Sequence, residues 1–442
     1  MVDNSFSRPL GIGQRTSWSD ALAQLAFAGF LFLVFVGLEP FAPRDSVVAQ
    51  LMASAEGTPS RQISYIIAFV AIVGMAFAFR GQNVFNAFPA ALTIVLLWCV
   101  LSIGWAIEPG IATRRLALTV MVVCCVLCSV DMLGPERSLR VLRFALGTII
   151  IVNCISILVV PQAVHLPGEF EGELAGNWRG MHYHKNNAGA IAALTALIFF
   201  HHAIASKRMR DWLVFVAAVF FLVGTQSKTA TGFFAVSLIM STAYRFLART
   251  ELGRQFFMYL FVSILALACI GWLLAYEEIA DLMSDPGSFT GRVAIWQTTF
   301  TYLRDHWLLG SGFGSFWLIG DASPTTQVTS QSTRWIQLVA HSHNGYLEIL
   351  VTTGAIGLLL SVIAFVIIPT KQLVSRGGDV GLKSLLLSVV FFVVLANLLE
   401  TAFLSSSHPE WVIFLVVLAI LHQINIKGGR NLRHSASGRP PW

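Results

Sequence analysis

The residues best suited to chemistry lie in HSHNGYLEILVTTGAIG, positions 341 to 357. His341, His343 and Asn344 run straight into an apolar helix interrupted by Gly354 and Gly357. Polar groups set against a helix of membrane-grade hydrophobicity are costly and are kept where they have work to do. A histidine there suits deprotonation of a hydroxyl, because its ordinary pKa lies near neutrality. Ser342 and Asn344 are candidate caps for the helix, whose N-terminus adds an anion-friendly end.

Cations collect in other polar stretches. Arg179, His182, His184 and Lys185 follow one another in RGMHYHK, Lys228 sits in TQSKTATG, and Arg292 sits in TGRVAIW. Arginine grips phosphate as a bidentate fork and lysine as a point charge. Converging on a pyrophosphate, such groups stabilise the charge that develops as a leaving-group bond breaks, with no side-chain nucleophile required.

The elements that must position these groups are membrane helices. The chain has 442 residues, 56% hydrophobic and 12% charged, about half the charge usual in a soluble protein. Apolar runs of about 20 residues, the span of a bilayer core, recur along its whole length. The expected fold is an all-α polytopic membrane protein of about twelve transmembrane helices, at 21–38, 63–79, 88–105, 116–133, 141–160, 188–205, 212–224, 232–247, 256–276, 345–368, 385–404 and 411–424. This divides the chain into 1–276 (helices 1 to 9), a large polar loop at 277–343 and 344–442 (helices 10 to 12 with a basic tail). The first apolar run lacks a small-residue cleavage site and reads as a retained span. Lysines and arginines cluster in alternate loops, which places those loops and both termini in the cytoplasm, with Arg114 and Arg115 as exceptions at an outer helix end. The loops at 161–185, 225–230, 277–343 and 405–410 then face outward, carrying cations that this sorting does not explain, so an anionic ligand is expected there.

The net charge of +6 does not point to nucleic acid, because the basic residues sit in short inter-span loops. The six cysteines all fall in apolar runs and read as small hydrophobes.

Four segments together resemble a known family. His343-Asn344, nine residues, then Gly354-x-x-Gly357 looks like the H-N-x9-G-x-x-G signature of the O-antigen ligase and Wzy-type polymerase superfamily. GRVAIWQTTFTYLRDHWLLGSGFGSF (291–316) is similar to the start of that family's large periplasmic loop, RGMHYHKNNAGA (179–190) to its R-x-G-x5-N segment, and QSKTA (226–230) to its S-R-x-A turn, with Lys228 in place of the more frequent Arg. The HKN and SKT variants look most like the exopolysaccharide polymerase (ExoQ-like) branch. The motifs cover about residues 175–360; the first five spans match only in hydropathy.

The resemblance implies a GT-C-like inner-membrane glycosyltransferase with a periplasmic active site, polymerising repeats carried on undecaprenyl pyrophosphate. Direct attack on the anomeric carbon would invert it, and no metal or other cofactor is implied. His343 and Arg292 carry over as catalytic residues. Lys228, Arg292 and Arg179 become pyrophosphate-binding candidates, supported by His341, Asn344, His184 and Lys185. A flippase and a chain-length regulator are implied as partners. A ligase transferring the glycan to lipid A–core or protein would use the same residues.

Plainer readings stand beside these. HYH (182–184) and HSH (341–343) could ligate a metal, although no carboxylate or cysteine is fixed beside either pair in the sequence. Glu169, Glu171 and Glu173 read as a solvated loop face. GSGFG (310–314) lacks the Lys-Ser/Thr of a phosphate loop and reads as a flexible turn. The aromatics of the long loop are expected to pack amphipathic helices on the bilayer surface. A twelve-span transporter fits less well, since neither repeat symmetry nor mid-span charge is evident.

Overall fold

The structure, a computed structural model, describes residues 17–42, 58–167, 169, 174–257, 259, 291–328, 331–375, 378–406 and 408–436. Among these the chain is almost wholly helical, without a strand. The main helices are α1 (Ser17–Phe35), α2 (Pro59–Arg80), α3 (Ala90–Ser102), α4 (Pro109–Leu133), α5 (Pro135–Val159), α6 (Lys185–Ser206), α7 (Met209–Gly224), α8 (Lys228–Leu247), α9 (Arg292–His306), α10 (Gly345–Val374, with a π-turn at Ile363–Ile367), α11 (Val380–Ala396) and α12 (Pro409–Ala436). Eight helices among the described residues are long and apolar enough to cross a membrane, and α11 and the α3 segment Ala90–Trp105 are shorter apolar helices. The protein is an all-α polytopic membrane protein. The expected ninth span, 256–276, falls almost entirely outside the described residues, as do Glu171 and Glu173.

Packing follows from composition. One long face of α6 is built of Ala188, Gly189, Ala192, Ala193 and Ala196, all buried. Small residues let helices approach closely where lipid supplies no hydrophobic drive between them. Accordingly α6 packs against α5, α7, α8 and α11, while α4 packs against α1, α2 and α12. A Cβ on Gly189 would come 2.8 Å from the Ser227 Cβ, so this glycine sets how near the α7–α8 turn approaches α6.

The two ends of the bundle differ. At one end the charges pair among themselves: Arg80 with Asp131 and Arg137 with Asp20, both at 2.6 Å. At the other, the loops before α6, α8 and α10 and the loop after α11 meet.

Two expectations change here. The eleventh helix was expected to run to Leu404 but stops at Ala396. Buried Asn397 turns the chain: its Nδ2 donates to Val393 O at 2.7 Å, and its Oδ1 accepts from Ala402 N and Phe403 N at 3.1 and 3.0 Å. The segment 310–314 is not a flexible turn. Gly310, Gly312 and Gly314 all have positive φ, and a Cβ on Gly310 would lie 2.7 Å from Val351 O.

Candidate functional site

Arg292 opens α9. Its Nη2 donates to Glu400 Oε1 at 2.7 Å, a charge-assisted hydrogen bond of the stronger kind. Asn186 Nδ2 donates to the same oxygen at 3.0 Å. His343 Nδ1 lies 3.5 Å from Glu400 Oε2, a charge contact short of hydrogen-bond geometry. Burial raises the Glu400 carboxyl, but His343, Arg292 and His184 together outweigh it and hold the group below the ordinary carboxylate range. Glu400 is therefore ionised at neutral pH. It joins an arginine, an asparagine and a histidine from three separate chain segments.

Sequence reading missed Glu400, because the apolar run LANLLETAFL looked like the end of a span. A signal was present: an asparagine and a glutamate inside such a run are expensive. The view that no carboxylate stands beside the HSH pair is corrected by the same residue.

The turn carrying His343 is fixed at several points. Ser342 N donates to Glu348 Oε2 at 2.9 Å, Ser342 O accepts from Trp296 Nε1 at 2.9 Å, and Ser342 Oγ donates to Asn344 O at 2.8 Å. Trp317 Nε1 holds Glu348 Oε2 at 2.8 Å. His343 itself has φ +50°, a left-handed conformation that histidine tolerates better than most residues. Its backbone N–H donates to His341 Nδ1 at 3.3 Å, so His341 braces the backbone at His343. That contact needs an unprotonated Nδ1. Burial first, then His343, His408, Arg292 and His184, push the His341 pKa well below its ordinary value.

Asn344 caps α10: Oδ1 accepts from Tyr346 N and Leu347 N at 3.0 and 2.9 Å, and Nδ2 donates to Leu398 O at 3.0 Å. Gly345 N donates to Asn397 O and Glu400 O at 2.8 and 3.0 Å. The cap of α10 and the Glu400 loop are thus one hydrogen-bonded unit.

The two later glycines of the motif serve docking. Gly354, at φ 71° and ψ −176°, breaks α10 in a conformation essentially reserved for glycine. The opened backbone receives the turn after α9: Ala355 N donates to Trp307 O and Ser311 N to Val351 O, both at 2.9 Å. Gly357 leaves room for Trp98, whose Nε1 donates to Thr353 O at 2.9 Å.

The remaining expected residues divide. His184 caps α6, its Nδ1 accepting from Asn186 N at 3.1 Å, which fixes the helix start from which Asn186 reaches Glu400. Lys185 Nζ donates to Gln226 O at 3.3 Å, and Ser227 Oγ donates to Asn186 Oδ1 at 3.3 Å. Lys228, the next residue, is exposed at the start of α8. Arg179 is fully buried; its guanidinium donates to His182 O at 3.3 Å and Ala42 O at 3.1 Å, so it braces its loop. His182 is buried on Asn153.

Two plainer readings are corrected as well. Glu169 is not a solvated face; its Oε2 lies 2.6 Å from buried His165 Nδ1. Arg115, at the outer helix end, is taken up within the protein, where its Nη1 donates to Gly314 O and Trp317 O at 2.6 and 2.9 Å. Phe316 and Trp317 do not lie on the bilayer surface but fill a small core with Ile295, Leu303 and Val351. Arg61 escaped sequence reading altogether. It stands over Tyr65 at 5.6 Å, near enough for its charge to act on His408.

Residues 213–362 match the family model described as O-Antigen ligase. No curated protein matches the chain. The matched segment runs from α7 into α10 and contains Lys228, Arg292, His341, His343 and Asn344. Glu400 and Asn186 lie outside it.

Proposed function

We propose that this protein, a member of the O-antigen ligase and Wzy-type superfamily by its matched segment, polymerises glycan repeats carried on undecaprenyl pyrophosphate at the outer face of the bacterial inner membrane. Family membership makes it a membrane enzyme acting on lipid-linked glycans. The observation that carries the finer reading is the Arg292–Glu400–His343 constellation.

In this reading the hydroxyl oxygen of the acceptor repeat attacks the anomeric carbon of the donor glycan. His343 takes the hydroxyl proton. The bond from anomeric carbon to pyrophosphate oxygen breaks, its electron pair leaves with the lipid pyrophosphate, and the configuration inverts. Glu400 occupies only part of the Arg292 fork, and the other guanidinium N–H groups meet the pyrophosphate, where charge grows as the bond breaks. Lys228, exposed one residue from the Ser227–Asn186 contact, supplies a second positive charge. Glu400 holds Arg292 and His343 in register, and pre-organisation of this kind is a large part of catalysis. Arg179 keeps the preceding loop in place without contacting substrate.

A deletion strain tests the assignment. Loss of a polymerase leaves single repeats on the carrier lipid, and plasmid-borne wild type restores long chains while His343→Ala does not. Long glycan stranded on the carrier in the deletion strain would mean a ligase instead.

A further inference from the structure

Away from the Glu400 cluster, an open cavity of about 420 Å³ lies where α9 ends. Its wall combines flat aromatic surface with acceptor groups. Tyr302 and His306 stack face to face, with centroids 4.2 Å apart and planes within 5°. His306 Nδ1 donates to Tyr302 O at 3.1 Å, so Nε2 is the ring nitrogen left to meet a ligand. Across the cavity the Trp105 indole is held by its Nε1, which donates to Leu309 O at 3.0 Å. Trp307 is pinned through its backbone carbonyl to Ala355 N, yet the residue is 56% exposed. Asp305 lines the same cavity, is exposed, and its side chain makes no hydrogen bond or ion pair with any described residue.

We propose that this cavity is a saccharide subsite that holds the glycan away from the reacting bond, an inference resting on the reading of the enzyme as a glycan transferase. Sugar rings are amphipathic: their C–H faces pack on aromatic rings and their hydroxyls donate to carboxylates and imidazoles. Rigid aromatics with a few placed polar groups are the usual make-up of a small-molecule pocket, and the volume lies in the usual range. An acyl chain fits the wall less well. Arg304, Asp305 and His306 are successive exposed residues, and immersing them in hydrocarbon would be expensive, so this end of α9 lies in water or among headgroups. Fifteen residues separate the ends of α9 inclusively, or about 20 Å of helix. With Arg292 at one end and Asp305 at the other, the subsite stands several sugar units from the bond being made. It therefore acts on how long a chain is retained, and leaves the bond-making step alone.

The test uses the full-length protein in lipid nanodiscs and carrier-free polysaccharide released by mild acid from the producing cells. Saturation-transfer NMR and tryptophan fluorescence report binding. Trp307→Ala and Asp305→Asn, which check each other should one perturb folding, each weaken binding about tenfold, whereas His343→Ala binds like wild type. In a turnover assay the two subsite variants form the first bond at the wild-type rate but release shorter chains. Binding by His343→Ala that still depends on Trp307, together with undiminished turnover by His343→Ala, would overturn the proposed mechanism and leave the subsite standing. Wild-type protein that fails to bind the polysaccharide, or binding unchanged in both subsite variants, overturns the subsite. So does quenching of Trp307 by bromine-labelled acyl chains, which would identify the occupant as lipid.

Discussion

Replacing Glu400 by glutamine removes one negative charge and little else. The amide oxygen can still accept from Arg292 and Asn186, so the loop keeps its shape while the charge between Arg292 and His343 is lost. A hydrogen bond to a charged group contributes about 1.5–3 kcal/mol, and the 2.7 Å contact from Arg292 belongs to that class. If that energy serves to aim the guanidinium at the leaving group, its loss slows turnover by about 10- to 100-fold at saturating substrate. Glu400→Ala goes further, because Asn186 Nδ2 and the Arg292 fork both lose their acceptor, and breaking a part-buried pair from one side costs about 3–5 kcal/mol. The assay is chain elongation on purified lipid-linked repeats, with thermal unfolding in detergent to show that both variants fold. Glu400→Gln with wild-type turnover, in a protein that unfolds at the wild-type temperature, would refute the positioning role.

Arg292→Lys keeps the charge but loses the planar fork, so turnover falls by about 100-fold or more, measured in the same elongation assay beside a Lys228→Arg variant that stays active. Gly354→Ala places a Cβ against the Leu308 backbone carbonyl in a conformation alanine resists; it costs about 3 kcal/mol or more and is read as a fall in unfolding temperature together with loss of elongation. Acid destabilises the fold through its buried loop histidines. Burial lowers His182 and His408 to about 4, while the unfolded chain protonates near 6.5. Stability from these groups is complete above the unfolded pKa and is lost as pH falls from about 6.5 toward 4, on the order of 3 kcal/mol for each. A pH series of unfolding temperatures checks this, with His182→Gln flattening the slope.

The helices were legible because an apolar run long enough to cross a bilayer has few other fates, and most observed helices fall within a turn or two of their expected limits. His343, Asn344 and Arg292 were legible by type and spacing, and the first and last of these come within reach of one carboxylate. Glu400 was not, because the loop holding it is made of residues that also suit a membrane span; only the hydrogen bonds of Asn397 end the helix there. Arg179 shows the converse limit. Its type suggested phosphate, but whether a guanidinium meets a ligand or a backbone carbonyl is decided by burial, which local sequence does not record. The x9 spacing in the His343–Gly354 motif acquires its reason only in three dimensions, where the break at Gly354 is the dock for the turn that follows α9.

In the proposed function His343 and Arg292, held by Glu400, join lipid-linked repeats. The most direct test is elongation of purified undecaprenyl-pyrophosphate repeats by purified protein. Wild type is expected to build polymer while His343→Ala and Arg292→Ala, both folded, leave the repeats single. Full-length polymer from either variant would contradict it.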